Sequence, residues 1–350
     1  MNEMIPVTHI AEPEDQDPSA VQYRSLYDGK KVYTRKIEGY YQNLRRIAGL
    51  PLLLAYFLTP WLRIDGRPAV LFDMGDLKFH VLWGTFWPQD SILLIGVLSI
   101  AAFALFTVTV WAGRLWCGFS CPQTLWTSMF IWIEDKCEGD RNQRIKLDQA
   151  PWSRGKALKK FNKHSLWLVL SLFTAFTFVA YFYETNVFLQ DLLNLSVSLE
   201  GFIWLALFTF FTYLNAGYLR EQVCKHMCPY SRFQSAMYDS NTLLVTYDTA
   251  RGENRGPRKP GSDYRKQGLG DCVDCNWCVQ VCPADIDIRN GLQAECIDCG
   301  LCIDACDSVM EKMSYSSGLI RYASEKEFDT GTSQQKLDIK TLAYGAILII

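Results

Sequence analysis

Cys272-Val273-Asp274-Cys275-Asn276-Trp277-Cys278-Val279-Gln280-Val281-Cys282-Pro283 and, further on, Cys296-Ile297-Asp298-Cys299-Gly300-Leu301-Cys302-Ile303-Asp304-Ala305-Cys306 decide the fold of the segment that holds them. Each copy reads C-x2-C-x2-C-x3-C. Runs of this kind hold [4Fe–4S] clusters, and in two-cluster proteins the fourth cysteine of one run ligates the other cluster. Three thiolates two residues apart let a tight loop wrap one cube, while the fourth lies too far along the chain to reach it. Cys272, Cys275, Cys278 and Cys306 are therefore expected on one cluster, and Cys282, Cys296, Cys299 and Cys302 on the other. The rival is a pair of zinc sites, which use four thiolates at C-x2-C spacing. Zinc does not require the third cysteine two residues on, twice. Asp307 stands where a proline follows the first run, so the second turn is expected to be looser.

The rest of the chain is apolar in blocks. Of 350 residues, 49% are hydrophobic, with 11 Trp, 17 Tyr and 20 Phe. Ser91–Gly113, Ser165–Tyr183 and Gly201–Leu219 carry no charge and are long enough for membrane helices. Ile47–Leu62 is shorter and contains Pro51 and Pro60, but Arg45, Arg46 and Arg63 flank it and can snorkel. A buried core helix is the alternative for each. The stretch Met1–Ala20 is acidic and has no apolar signal-peptide core. Lys and Arg set the sidedness. They crowd the segment before the first block (Lys30, Lys31, Arg35, Lys36, Arg45, Arg46) and the 134–164 loop, whereas the 64–90 loop has only Arg67 and Lys78 and the 184–200 loop none. By the positive-inside rule the N-terminus, the 134–164 loop and everything after Arg220 are cytoplasmic. The clusters then lie where thiols stay reduced. The net charge of −2 carries little information beside this asymmetry.

A repeat runs through the apolar part. Each half is an out-and-back hairpin ending in Ala-Gly and then a C-x3-C-P pair: Cys117, Cys121 and Pro122 in the first, Cys224, Cys228 and Pro229 in the second. Parallel repeats place like motifs about an axis along the membrane normal, so the four thiols are expected to meet. Cysteines four apart share a helix face, and the following proline suits a first helical turn. Leu125, Met129 and Ile133, with Trp126 and Trp132, suggest an interfacial helix after the first pair. Ordinary buried cysteine is the bland reading of these pairs. Three active readings stand beside it. Sulfur ligands select Cu(I), and Cys224-Lys225-His226-Met227-Cys228 adds imidazole and thioether. A third iron–sulfur cluster is another. A thiol–disulfide relay is the last, with Arg114, Arg220 and Lys225 lowering thiol pKa values. Cys137, alone near a charged loop, reads as structural.

The domain plan is a cytoplasmic segment 1–40, a membrane domain 41–240, a polar connector 241–268, a two-cluster ferredoxin domain 269–312, a second connector 313–340, and residues 341–350 as the start of a cut membrane helix. The fold class is an α-helical integral membrane protein, a repeat of two helical hairpins with a further helix beginning at its end, carrying an inserted α+β ferredoxin domain of bacterial two-cluster type. No fold supports a nucleic-acid role, and no G-x-G-x-x-G follows a strand, so no flavin or nicotinamide site is expected. Electrons must come from a partner, a quinol or a bound carrier.

Phe79-His80, Phe86-Trp87-Pro88-Gln89-Asp90, Trp116-Cys117-Gly118, Cys121-Pro122-Gln123-Thr124, Glu138-Gly139-Asp140-Arg141-Asn142, Cys228-Pro229-Tyr230-Ser231-Arg232-Phe233-Gln234-Ser235-Ala236-Met237 and Gly318-Leu319-Ile320-Arg321-Tyr322 resemble the CcoG/FixG/RdxA family of cytochrome c oxidase accessory proteins, which are membrane polyferredoxins. The resemblance covers the chain from about residue 25 and rests on the ordered set of motifs. Related membrane polyferredoxins of nitrate and nitrous oxide respiration share the C-x3-C-P pairs. The resemblance implies a multi-pass protein of the bacterial inner membrane that helps mature a cbb-type haem–copper oxidase. It is proposed to reduce Cu(II) to Cu(I), with two [4Fe–4S] clusters as cofactors. The copper ion would be substrate at Cys117, Cys121, Cys224 and Cys228, with His226 or Met227, and would leave to a chaperone, a pump or an oxidase assembly protein. The family continues past a last helix into a periplasmic immunoglobulin-like domain, which matches a cut at Ile350. A quinol-linked electron-transfer subunit and a non-enzymatic scaffold are the rival classes.

Overall fold

The computed structural model describes residues 31–324, 326–327 and 344–345. Calls on Met1–Ala20 and nearly all of Leu342–Ile350 lie outside the described residues. Met1–Lys31 form a separate unit from Val32 onward, and only the second is considered below.

Helix α1 (Tyr40–Leu58) leads into short antiparallel strands β1 (Arg63–Ile64) and β2 (Arg67–Pro68), then a meander of β3 (Val70–Asp73), β4 (Lys78–Val81) and β5 (Gly84–Phe86). Helix α2 (Ser91–Ala112) returns from the meander to the first thiol pair, carried by α3 (Leu115–Phe119) and α4 (Pro122–Glu138). Next come α5 (Arg141–Gln149), α6 (Arg154–Val179), α7 (Thr185–Leu193) and α8 (Leu199–Thr212). Two π-helical turns, Tyr213–Leu219 and Val223–Met227, precede α9 (Pro229–Met237). Such turns are rare and often mark functional sites.

Two helices among the described residues are long and apolar enough to cross a membrane, Pro88–Ala112 and Leu199–Leu219. The other two apolar blocks fall in helices that do not meet that test. Ser165–Tyr183 is the latter part of α6, whose first turns carry Lys156, Lys159, Lys160 and Lys163. Ile47–Leu62 is divided between α1 and a short turn at Thr59–Trp61. Along α2 only Thr109, Val110 and Ala112 are buried, so its aliphatic face is unpartnered over most of its length.

The helices at the thiol pairs are held by buried charge. Glu134 and Glu138 of α4 are fully buried, as is Arg144 of α5. Glu134 Oε2 lies 3.0 Å from Arg144 Nη1 and 2.9 Å from Arg220 Nη2. Glu138 Oε1 lies 2.8 Å from Lys163 and 2.9 Å from Lys160, which also reaches Asp148 at 2.5 Å. Three of the cations that gave the 134–164 loop its basic character are thus spent inside the protein. Helix α4 buries one face against the protein: Leu125, Phe130, Ile133, Glu134 and Glu138 face inward, with Phe130 and Ile133 against Trp167 of α6, while Trp132 is exposed. Cys137 packs at the edge of that cluster.

The polar connectors are more ordered than their composition suggests. Leu244–Tyr247 forms β6, Thr249–Gly252 forms α10, and β6 pairs antiparallel with β7 (Ile320–Ala323) from the far side of the cysteine segment. Between them lie α11 (Trp277–Val281) and α12 (Leu301–Met313). Val245, Tyr247, Leu319 and Ile320 share a core with Cys272, Cys278, Ile303 and Met310. The compact unit therefore reaches beyond 269–312 at both ends. The expected looser turn after Cys306 is absent: α12 continues through it, and Asp307 Oδ1 accepts the Gly318 N–H at 2.8 Å. Asp304 of α12 accepts the Tyr41 and Gln42 amides at 3.1 and 2.8 Å, so the cysteine unit caps the N-terminus of α1.

Candidate functional site

The two cysteine runs adopt the same backbone course. Asp274 and Asn276 in the first run, and Asp298 and Gly300 in the second, have positive φ. Alternation into the left-handed region turns successive amides inward, the geometry of anion and iron–sulfur nests. The backbone amides of Trp277, Asp298 and Ile286 favour the charged forms of Cys275, Cys296 and Cys282 respectively, against the effect of burial. Gly300 meets two demands, a φ of +72° and a Cβ position only 2.6 Å from the Tyr41 ring.

The eight thiols separate into two groups across the runs. Burial raises the Cys306 pKa most, followed by the charges of Cys278, Cys272 and Cys275. Cys282, pushed up to about 12 by burial, next feels Cys299. Cys296 sits in the field of Asp298, Cys299 and Cys282, and Cys302 in that of Cys299, Cys296, Cys282 and, least, Cys278. Cys282, Cys296, Cys299 and Cys302 line one small cavity walled by Val245, Ile286 and Ile288. Cys278 of the first group lines it too. These donor sets fit a pair of cubanes, each with one cysteine from the opposite run. Thiolates clustered this closely repel unless a cation holds them, which is what iron supplies. Arg289 braces the first loop through Asp274, Asn276 and Asp287.

The four C-x3-C-P thiols also come together. Burial raises Cys117 to about 11 and Cys224 to about 12. Among the smaller influences, Cys117 feels Cys121 and Cys228, and Cys224 feels Cys121, Cys117 and Cys228. The two halves are built alike: Thr124 Oγ1 donates to Cys117 O at 2.6 Å, and Ser231 Oγ donates to Cys224 O at 2.7 Å, each seven residues on. Pro122 and Pro229 open α4 and α9. The pairs do not share one helix face, however. Cys121 and Cys228 are extended N-caps of the new helices, because a residue before proline avoids the α region. Nor do the nearby cations lower the thiols as expected. Arg220 is committed to Glu134 and Gly217 O, Lys225 to Ala284 O, and the field of Arg114 is outweighed by burial. His226 and Met227 are exposed. No three His, Cys, Asp or Glu side chains among the described residues converge tightly enough to hold a single ion directly.

The thiol site and the cysteine loops touch. A Cβ on Gly118 would lie 2.8 Å from Ile297 O, 2.9 Å from Asp298 O and 3.0 Å from Cys299 Cα. Arg114, buried, binds the carbonyls of Ala294 and Cys296 on one side and Ser231 O and Ser235 Oγ on the other. Asp298 accepts the Arg114 and Val245 amides at 3.0 and 3.2 Å. Residues 219–325, which span both cysteine runs and the second thiol pair, match the family model described as a 4Fe-4S dicluster domain. The chain is 41% identical over 309 residues to the nitrogen fixation protein FixG of Rhizobium meliloti, covering 87% of this chain and 59% of the relative. It is 41% and 40% identical to proteins RdxB and RdxA of Cereibacter sphaeroides, covering 86% and 83% of this chain and 64% and 62% of theirs. The chain belongs to the FixG/RdxA family.

This FixG/RdxA-type chain spans about three fifths of the length of those relatives. No solved structure matches it. Its apolar helices and its family together associate it with a membrane. Sequence reasoning missed several contributors to the FixG/RdxA site. Gln234 is fully buried, accepts from Cys117 Sγ at 3.4 Å, and leaves its Nε2 without a partner. Gln123 ties the first pair to the second half through Asn215 O and Arg220 O, both at 3.2 Å. Both lie in motifs that carry the family resemblance, but neither side-chain type signals a role by itself. Gly118→Ala is expected to destabilise the protein by about 1–3 kcal/mol, because the new methyl meets only backbone that cannot rotate away. Thermal unfolding should show this, whereas Gly96→Ala, which meets nothing within 4 Å, should be neutral or mildly stabilising.

Proposed function

We propose that this chain is a multi-pass inner-membrane electron-transfer protein whose ferredoxin unit reduces Cu(II) to Cu(I) at the four C-x3-C-P thiols, in support of cbb-type oxidase assembly. The observation that carries the reading is the seating of Gly118, next to Cys117, on the backbone of Cys299. A substrate held by the thiols is then one packed layer from the second cysteine group. Bound [4Fe–4S] clusters supply single electrons at potentials that span a wide range.

The remaining roles belong to the chain. Cys272, Cys275, Cys278 and Cys306 would hold one cluster, and Cys282, Cys296, Cys299 and Cys302 the other. Cys117, Cys121, Cys224 and Cys228 would hold the copper after drawing closer together than they stand in the structure, and sulfur ligation favours Cu(I) over Cu(II). Burial keeps Cys117 and Cys224 protonated at neutral pH, so metal entry displaces their protons. The same raised values argue against a thiol–disulfide relay, which needs an accessible thiolate. His226 and Met227, being exposed, suit transient capture or release. The positive-inside asymmetry supports a cytoplasmic N-terminus and ferredoxin unit, and the partners would be a copper chaperone, a pump or an oxidase assembly protein.

The test uses anaerobic protein with reduced clusters, mixed with Cu(II) beside a Cu(I)-specific chelator. The expected result is cluster reoxidation matched by Cu(I) formation, lost when all four C-x3-C-P cysteines become serine. Reduced clusters indifferent to Cu(II) would discard the copper reading and leave an electron carrier.

A further inference from the structure

A cavity of about 550 Å³ lies beside the thiol group, and most of its lining has no part in copper reduction. It lies between α4, the start of α1, the turn carrying Arg220–Cys224, and the ferredoxin loops. Its volume is that of a small-molecule site. Its position is the first argument. Cys224 of the thiol group lines it, and so does Pro283, the residue after Cys282. A molecule in this cavity would stand against both redox centres.

The lining is the second argument. Ile131, Trp132, Val281, Ile297 and Leu301 give an apolar slot, and Gln123, Thr127, Asp135 and Glu221 supply polar groups within it. Burial pushes Asp135 up to about 6, so it exchanges a proton near neutrality, and burial raises Glu221 as well. The lining cations have partners of their own: Arg35 bonds Gln280, Lys36 pairs with Glu38, and Lys136 lies over the Trp132 ring. Arg45 is bound to Gly118 O and Ser128, Arg46 to Asn43, and Arg220 to Glu134. An anionic headgroup would also face the carboxylates of Asp135, Glu221 and Glu295. A flat, uncharged ring with an oxygen at each end satisfies the slot, the polar groups and the proton acceptors together.

We propose that this cavity binds the ring of a membrane-soluble quinone, in its quinone or hydroquinone form. This names the electron partner of the iron–sulfur unit and rests on that reading for its purpose, while the binding is a property of the cavity alone. The test titrates a short-tailed benzoquinone and a short-tailed naphthoquinone into the oxidised full chain in detergent. Saturable binding of one or the other is expected, weakened at least tenfold by Thr127→Trp and by Ile131→Trp, which fill the slot. An unchanged cluster spectrum certifies each variant. In the wild-type chain, a photoreactive azidoquinone should label peptides within residues 123–136, which decides the matter even where a variant fails to fold. Absence of saturable binding, labelling confined to other segments, or binding only of a short-chain phosphatidylglycerol overturns the proposal. The copper experiment uses chemically reduced clusters, so it succeeds or fails independently of this one.

Discussion

Cys282→Ser is expected to remove the same cluster as Cys299→Ser, and Cys306→Ser the same cluster as Cys275→Ser. Sequence order alone groups Cys282 with Cys272, Cys275 and Cys278, yet it shares a cavity with Cys296, Cys299 and Cys302. Cys306 likewise stands among the cysteines of the first run. Serine is a poor ligand for iron in place of thiolate, so each variant should retain about half the iron and sulfide of the parent. Electron paramagnetic resonance of the reduced proteins distinguishes the two remaining clusters and shows which is left. Should Cys282→Ser and Cys275→Ser prove spectroscopically alike, each run ligates its own cluster and the crossed assignment fails.

Glu134→Ala should produce the largest loss of stability away from the clusters, about 3–5 kcal/mol. That is the usual cost of removing one member of a buried ion pair and leaving its partners buried. Glu134 is fully buried and its Oε2 is shared by Arg144 and Arg220, which come from different helical segments. Arg220 leads directly into the turn bearing Cys224, so the same variant should disturb the thiol site. Glu134→Gln keeps one acceptor and should cost less. Thermal unfolding in detergent measures both. A melting temperature for Glu134→Ala within a degree of the parent would show that the network carries little of the fold.

What could be read beforehand was what covalent spacing dictates. Three cysteines two residues apart leave few ways to arrange a loop, and proline after a cysteine marks a helix start, as Pro122 and Pro229 do. The same proline also forbids Cys121 and Cys228 from the helix, a local rule that the shared-face expectation overlooked. The pairing of Leu244 with Ala323 could not be read, since each strand is four residues long and its partner is distant in sequence. Glu134 and Glu138 looked like the rim of a charged loop because only tertiary packing reveals that their counterions are buried with them. The large cavity was invisible for a similar reason: its walls come from five separate stretches of chain.

The pairing of β6 with β7 bears on biosynthesis. β7 leaves the ribosome after both cysteine runs, so the strand that closes the unit is the last of its parts to be made. Until Ile320–Ala323 emerges, β6 has no partner and the cysteines hang in an open loop. Iron and sulfide are thus expected to enter most easily before Ile320–Ala323 is made. Once closed, the two ends of the loop sit side by side. A nascent chain arrested before β7 should accept iron and sulfide readily and lose them as readily.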